Sequence, residues 1–192
     1  MSLRYIIKKY IREYRPCAQD ELNWFQQQST LREAVNYAAR SIDNRKKRYS
    51  HQRRLKKVSL EQAQQILLTD IQSIEQARDF DALFELVDRI LKPVNGIGEL
   101  YVYDTALRIG SKKGIYPTKI YLHAGTRVGA KALGFDGKAE TLEKSALLVK
   151  YPEFHPLEPH EIEDVLCIFK ADLKKASNKN IDYGIFKRSR CS

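Results

Sequence analysis

Apolar residues return every three or four positions along most of this chain, a period that suits helices lying on a core and does not suit strands. Leu3, Ile6, Ile7, Tyr10, Ile11 and Tyr14 form one such stripe and predict a helix ending before Pro16. Thr30-Leu31-Arg32-Glu33 has the form of a capping box and predicts a second helix to about Arg40. Ser59-Leu60-Glu61-Gln62 opens a third in the same way, with Ile66, Leu67, Ile71 and Ile74 as its stripe. A fourth carries Phe80, Leu83, Phe84, Leu86, Val87 and Ile90 and must stop near Pro93. Further helices are expected around 100–112, 126–133 and 159–173. Leu100–Tyr103 and Lys119–Leu122 also read as short extended pieces, but sustained period-two alternation is missing. No repeat of 20 to 50 residues suggests a solenoid. The expected fold is all-α: a compact, multi-helix single domain over residues 1–173, followed by a basic C-terminal tail, 174–192.

Composition agrees with a folded chain. With 43% apolar and 30% charged residues, and Gly 9 plus Pro 6 in 192 positions, fibrous and low-complexity structures are excluded. Unbroken apolar runs such as Ala146–Val149 fall far short of the roughly 20 residues a membrane-spanning helix needs. The N-terminus alternates apolar and basic residues, unlike a secretory signal, so a mature cytoplasmic protein is expected. Cys17, Cys167 and Cys191 are odd in number and far apart, which suits neither a disulfide framework nor a CxxC zinc site. Cys167, in an apolar run, reads as a small packed hydrophobe.

The charge is unevenly placed. Residues 1–58 hold 15 Lys/Arg against 5 Asp/Glu, so the whole net charge of +10 sits in the first third and the remainder is balanced. Its densest part, residues 44–57, carries Arg45, Lys46, Lys47, Arg48, Arg53, Arg54, Lys56 and Lys57 with no acid, and Tyr49, His51 and Gln52 lie between them. A nucleic-acid partner, double-stranded DNA first, is what such a footprint implies; a solvated basic surface is the plain alternative. Lys187-Arg188-Ser189-Arg190 makes a second basic cluster in the tail.

Leu91-Lys92-Pro93-Val94-Asn95-Gly96-Ile97-Gly98 joins two predicted helices through a Gly-x-Gly turn. A helix-hairpin-helix is written this way, and the motif is expected over about 83–112. Glycines let the backbone approach a phosphate, and the next helix points its first amides and its dipole at it. Asn95, Gly96, Ile97 and Gly98 are therefore candidate phosphate contacts, which position a protein without reading bases. A tight interhelical turn with no ligand is the alternative.

Taken with Asp104-Thr105-Ala106, Tyr121-Leu122-His123 and Arg127-Val128-Gly129-Ala130-Lys131-Ala132-Leu133-Gly134-Phe135, that turn resembles the signature of the helix-hairpin-helix DNA glycosylase superfamily. The wider pattern, including His51-Gln52-Arg53-Arg54 and Glu161–Phe169, is similar to that of a bacterial protein family. The resemblance implies an all-α protein with its cleft beside the hairpin, and base-excision hydrolysis of the N-glycosidic bond of a damaged or modified base. The departures are specific. Tyr121 and Leu122 stand where the family has its essential aspartate, Asp104 stands where lyase-type members have lysine, and about four extra residues separate Gly98 from Asp104. Either the acid has moved to Asp104, or catalysis has been lost or changed.

Candidate catalytic residues on this reading are Asp104, whose carboxylate would stabilise an oxocarbenium-like state, and His123. Tyr101 and Tyr103 are candidate platforms for an extruded base, and Arg127 and Lys131, four residues apart on one helix face, candidate phosphate ligands. The plain alternatives are an ion pair of Asp104 with Arg108 at i+4 and a hydrogen-bonded structural role for His123. Trp24-Phe25 reads as core. Glu158-Pro159-His160-Glu161 reads as a helix start, HExxH is absent, and neither a metal site nor a cofactor is expected. A non-catalytic nucleic-acid-binding protein and a helical protein-interaction subunit remain the alternatives to an enzyme.

Overall fold

The helical period is realised in the α-helices named below, with a further helical stretch over residues 170–176. A computed structural model describes residues 2–176, and the chain is all-α: α1 (Leu3–Glu13), α2 (Arg15–Gln26), α3 (Leu31–Ala39), α4 (Lys57–Thr69), α5 (Ile71–Gln76), α6 (Phe80–Leu91), α7 (Glu99–Lys113), β1 (Ile120–Tyr121), α8 (Ala124–Ala132), β2 (Thr141–Leu142), α9 (Lys144–Lys150) and α10 (Pro159–Ile168), with single 3-10 turns at Ser50–Gln52 and Pro152–Phe154. Among the described residues no helix is long and apolar enough to cross a membrane. The basic cluster at 187–190 and Cys191 lie outside the described residues. Among the described residues the chain divides into two compact units, one of residues up to Pro16 together with those from Thr118, the other Cys17–Pro117.

Several local signals act as expected. Thr30 Oγ1 caps α3 by accepting from the Glu33 amide at 3.1 Å, and the Glu33 carboxylate reaches back to the Ser29 amide. Asp79, which the sequence reading did not single out, caps α6 by accepting from the Ala82 amide. Glu158 and Glu161 form a capping box in front of Pro159, so the 158–161 run is the helix start its sequence suggests.

Other expectations are corrected. Pro16 ends one helix but takes the second position of the next, where its missing N–H costs nothing, so α2 follows α1 at once. Ser59 does not cap α4, which begins two residues earlier at Lys57; its hydroxyl donates to the carbonyl of Asn95 at 2.7 Å. The stripe from Ile66 to Ile74 is broken at Asp70 into α4 and α5. Of the two pieces also read as extended, Leu100–Tyr103 belongs to α7, within the helix expected at 100–112, while Lys119–Leu122 is extended as read, at Ile120–Tyr121, and pairs antiparallel with Thr141–Leu142.

In the Cys17–Pro117 unit, α7 lies against α3 and α6 and is buried around most of its circumference, including Tyr101, Thr105, Arg108, Ile109 and Ser111. Gly110 permits this, since a Cβ there would meet the Ile115 carbonyl at 2.6 Å and the Phe80 ring at 3.3 Å. Phe25 is fully buried, as read from sequence, while Trp24 is half-buried.

The other unit is built on the crossing of α8 over α10. Gly125 and Gly129, one turn apart, face α10; a Cβ on Gly129 would collide with the Leu166 carbonyl, and one on Gly125 would stand 2.9 Å from Cys167 Sγ. Ile6, Ile7, Tyr10, Phe154, Leu157, Ile162 and Val165 complete this core. The end of α1 is pinned to α10 by the Tyr10 hydroxyl, which donates to Asp164 at 2.7 Å, and Arg15 grips Glu161 through two bonds of 2.6 and 2.9 Å.

Because the collision at Gly129 is with backbone, Gly129→Ala is expected to lower stability by about 1–3 kcal/mol in urea denaturation. An unchanged midpoint would show that the helices do not cross this closely.

Candidate functional site

Arg108 organises a buried polar assembly in the Cys17–Pro117 unit. Placed on α7 with 2% of its surface exposed, it donates from Nε to Glu21 at 2.7 Å and from Nη1 to Gln52 Oε1 at 3.2 Å. Its guanidinium carbon sits 3.9 Å from the ring centroid of Tyr49, and Nη2 lies 4.0 Å from Asp104 Oδ2, one turn back on the same helix. Burial works against the Arg108 charge, but Glu21 and then Asp104 more than offset it and hold the group protonated. The Tyr49 phenol is pushed up from its ordinary range by burial, with Arg108 opposing and Glu21 adding to the effect.

Gln52 extends the network to Asp104. Its Nε2 donates to Asp104 Oδ2 at 2.5 Å, and His51 Nε2 lies 2.9 Å from the same oxygen. The ion pair with Arg108 that the i+4 spacing allows is therefore present, and two residues of the basic run converge on the same carboxylate.

The run itself is a folded loop. Asp43, just ahead of it, is buried and accepts from the amides of Arg45 at 2.9 Å and Lys47 at 2.8 Å and from the Arg45 guanidinium at 3.0 Å. Burial raises its carboxyl pKa, but the Lys47 amide and the Arg45 side chain and amide outweigh that and hold it below the usual carboxylate range. Ile42 and Arg48 form an antiparallel bridge, and Arg48 Nη1 donates to the Leu55 carbonyl at 3.0 Å. At the tip Lys46 takes φ +58°, a left-handed conformation that favours glycine. Its ammonium donates to the Tyr37 hydroxyl at 2.7 Å and lies 5.4 Å from the Trp24 ring centroid. Arg45, Lys46, Lys47, Arg53, Arg54, Lys56 and Lys57 are exposed. A cleft of about 500 Å³ opens between this loop and α2, lined by Arg45, Lys47, Arg48 and Arg53 on one side and by Asp20, Glu21 and Trp24 on the other.

Sequence reasoning is corrected at three of its candidates. Gln52 is 3% exposed, and its amide is engaged by Asp104 and Arg108, so it braces the loop from inside. Tyr101 and Tyr103 are each 2% exposed; Tyr101 donates to the Ala39 carbonyl and Tyr103 packs edge-on to Phe80, so both rings serve the interior. Trp24, Asp20 and Glu21 were missed as cleft residues, because a half-buried aromatic beside acids gives no periodic signal.

The turn between α6 and α7 is exposed at Asn95, Gly96 and Gly98, with Ile97 half-buried. Gly96 has φ +83°, and Gly98 is the residue that precedes the first turn of α7. Glu99 places an acid in that turn, where it complements the helix dipole.

The remaining candidates belong to the other unit. Arg127 is half-buried, with Nε 3.5 Å from the Ala139 carbonyl, and Lys131 is exposed on α8. His123 is 4% exposed and opens α8, its amide donating to Thr126 Oγ1 at 2.6 Å and its Nε2 hydrogen-bonded to Glu163.

No family model, no curated protein and no solved structure matches this chain.

Removing the guanidinium would leave Glu21 and Asp104 without their buried counter-charge. Arg108→Ala is expected to cost about 3–5 kcal/mol in denaturant unfolding, and Arg108→Lys to restore only part of it because an ammonium lacks the planar fork. Asp43, with its depressed pKa, stabilises the loop above the unfolded-state value of about 3.9 and loses that contribution as pH falls through the folded value. An NMR titration should therefore show the Arg45 and Lys47 amide resonances shifting together below about pH 4, and Asp43→Asn should abolish the transition.

Proposed function

We propose that this protein binds nucleic acid, with duplex DNA as partner, through the sugar–phosphate backbone. The observation that carries the reading is the loop of residues 43–57: its exposed cations sit on a backbone already braced by Asp43 and by the Gln52–Asp104–Arg108 network. A phosphate chain meeting them releases counterions and need not order the loop first, which favours binding. The α6–α7 turn offers an exposed glycine backbone at a helix start, the kind of place that accepts phosphate, although Glu99 makes it the weaker contributor. Such contacts position a protein and carry no sequence preference. A cytoplasmic setting belongs with this reading.

Hydrolysis of an N-glycosidic bond is the second reading, and one observation favours it. Asp104 keeps 15% of its side chain exposed and is paired with His51, which is 45% exposed, so a carboxylate and an imidazole meet near the surface. Against it, the same oxygen already receives Gln52 and faces Arg108, which suits bracing better than chemistry.

Fluorescence anisotropy on a labelled duplex is expected to show binding that weakens steeply with salt. Arg53→Ala with Arg54→Ala should lower the slope of log K against log salt by about 2, roughly 1 for each cation taken away from a phosphate. No binding at low salt, or binding indifferent to salt, would refute the proposal and favour an acidic protein partner. Alkali-labile sites made by the wild type and not by Asp104→Asn would establish the glycosylase reading.

A further inference from the structure

Three residues outside the loop meet where α8 starts over α10. His123 precedes the first turn of α8, and Glu163 and Cys167 stand at i and i+4 on α10, so they share one helix face. An imidazole nitrogen, a carboxylate oxygen and the Cys167 sulfur all lie within 4.8 Å of one another. His123 and Glu163 are 4% and 5% exposed, and Cys167 is half-buried.

We propose that His123, Glu163 and Cys167 bind one Zn²⁺ ion. The donor set is the mixture of imidazole, carboxylate and thiolate that this borderline-soft ion takes, and softer or harder ions match it less well. A tetrahedral centre with bonds of about 2.0–2.3 Å spaces its donor atoms by roughly 3.3–3.6 Å, a contraction that side-chain rotation can supply from the present separation. The packing is arranged for it. Gly125 leaves the room that Cys167 Sγ occupies, and Gly129 lets α8 come close enough for His123 to reach α10. Three protein donors leave a fourth position for water or a small ligand, on the half-buried Cys167 side. The site does not depend on nucleic-acid binding, since none of its residues belongs to the loop.

Sequence spacing hides it. The ligand pair on α10 is Glu-x-x-x-Cys and its third partner is 40 positions earlier, so no short motif is written.

The experiment is metal uptake by the full chain. The protein is stripped with a chelator, dialysed against Zn²⁺ and analysed for bound metal, and in parallel loaded with Co²⁺ for its absorption spectrum. One equivalent of Zn²⁺, a rise in Tm on adding it, and a thiolate-to-cobalt charge-transfer band with tetrahedral visible bands are expected. Cys167→Ser should lose the charge-transfer band and Glu163→Gln should weaken uptake at least tenfold, while Cys17→Ser should keep both. Cys167→Ser is near-isosteric, and its circular dichroism checks that the fold is retained. Substoichiometric uptake, or a band that survives Cys167→Ser, would overturn the proposal.

Discussion

A guanidinium with 2% of its surface exposed imposes the strongest constraint on the Cys17–Pro117 unit. Arg108 cannot shed its proton, so burying it on α7 requires opposite charge and hydrogen-bond acceptors on every side. They arrive from three places: Glu21 from α2, Asp104 from α7 itself, and Gln52 with the Tyr49 ring from the loop that follows α3. The loop is thus fastened to the middle of the unit by the polar needs of one side chain. Packing of α7 against α3 and α6 supplies the apolar burial, but it does not fix where residues 43–57 lie.

That fastening explains how a segment so rich in cations holds a definite shape. Blocks of like charge ordinarily repel and remain solvated. Here Asp43 binds the backbone at Arg45 and Lys47, Lys46 rests on Tyr37 and Trp24, and Gln52 anchors the far end. The cations left exposed are presented by a preformed surface, which lowers the entropy a polyanion must overcome on binding. In the other unit the organising device is different: on α8, Gly129 lies against the α10 backbone and Gly125 against the Cys167 side chain, and His123, Glu163 and Cys167 meet at that crossing.

Several helices were legible from a stripe or a cap, although Ser59 misplaced the start of α4 and the Ile66–Ile74 stripe hid the break at Asp70. Thr30 and the stripe of α6 gave α3 and α6 nearly at their observed bounds, and the Glu158–Glu161 box gave the start of α10, which ends at Ile168 short of the expected 173. What failed has physical causes. Pro16 reads as a terminator, yet it is also a good early helix residue, so α2 was hidden. The alternative extended reading of Leu100–Tyr103 came from its strand-forming residues, a preference that burial on most sides of α7 overrode in favour of the helix expected at 100–112. The pairing of Asp104 with Arg108 was visible from spacing because it is local. Its partners Gln52 and His51 were not, since they come from more than 50 positions away. The basic run was legible as charge, but which of its residues turn inward was decided by Arg108, and charge patterning carries no such information.

Amide hydrogen exchange across residues 41–56 of the unliganded protein tests the central claim most directly, that the loop is ordered before it meets any partner. The account predicts slow exchange at Arg45, Lys47, Tyr49 and Gln52, whose amides are bonded to Asp43, Asp43, Ser41 and Tyr49 respectively. Exchange at the rate of an unstructured peptide, with protection arriving only when DNA is added, would contradict it.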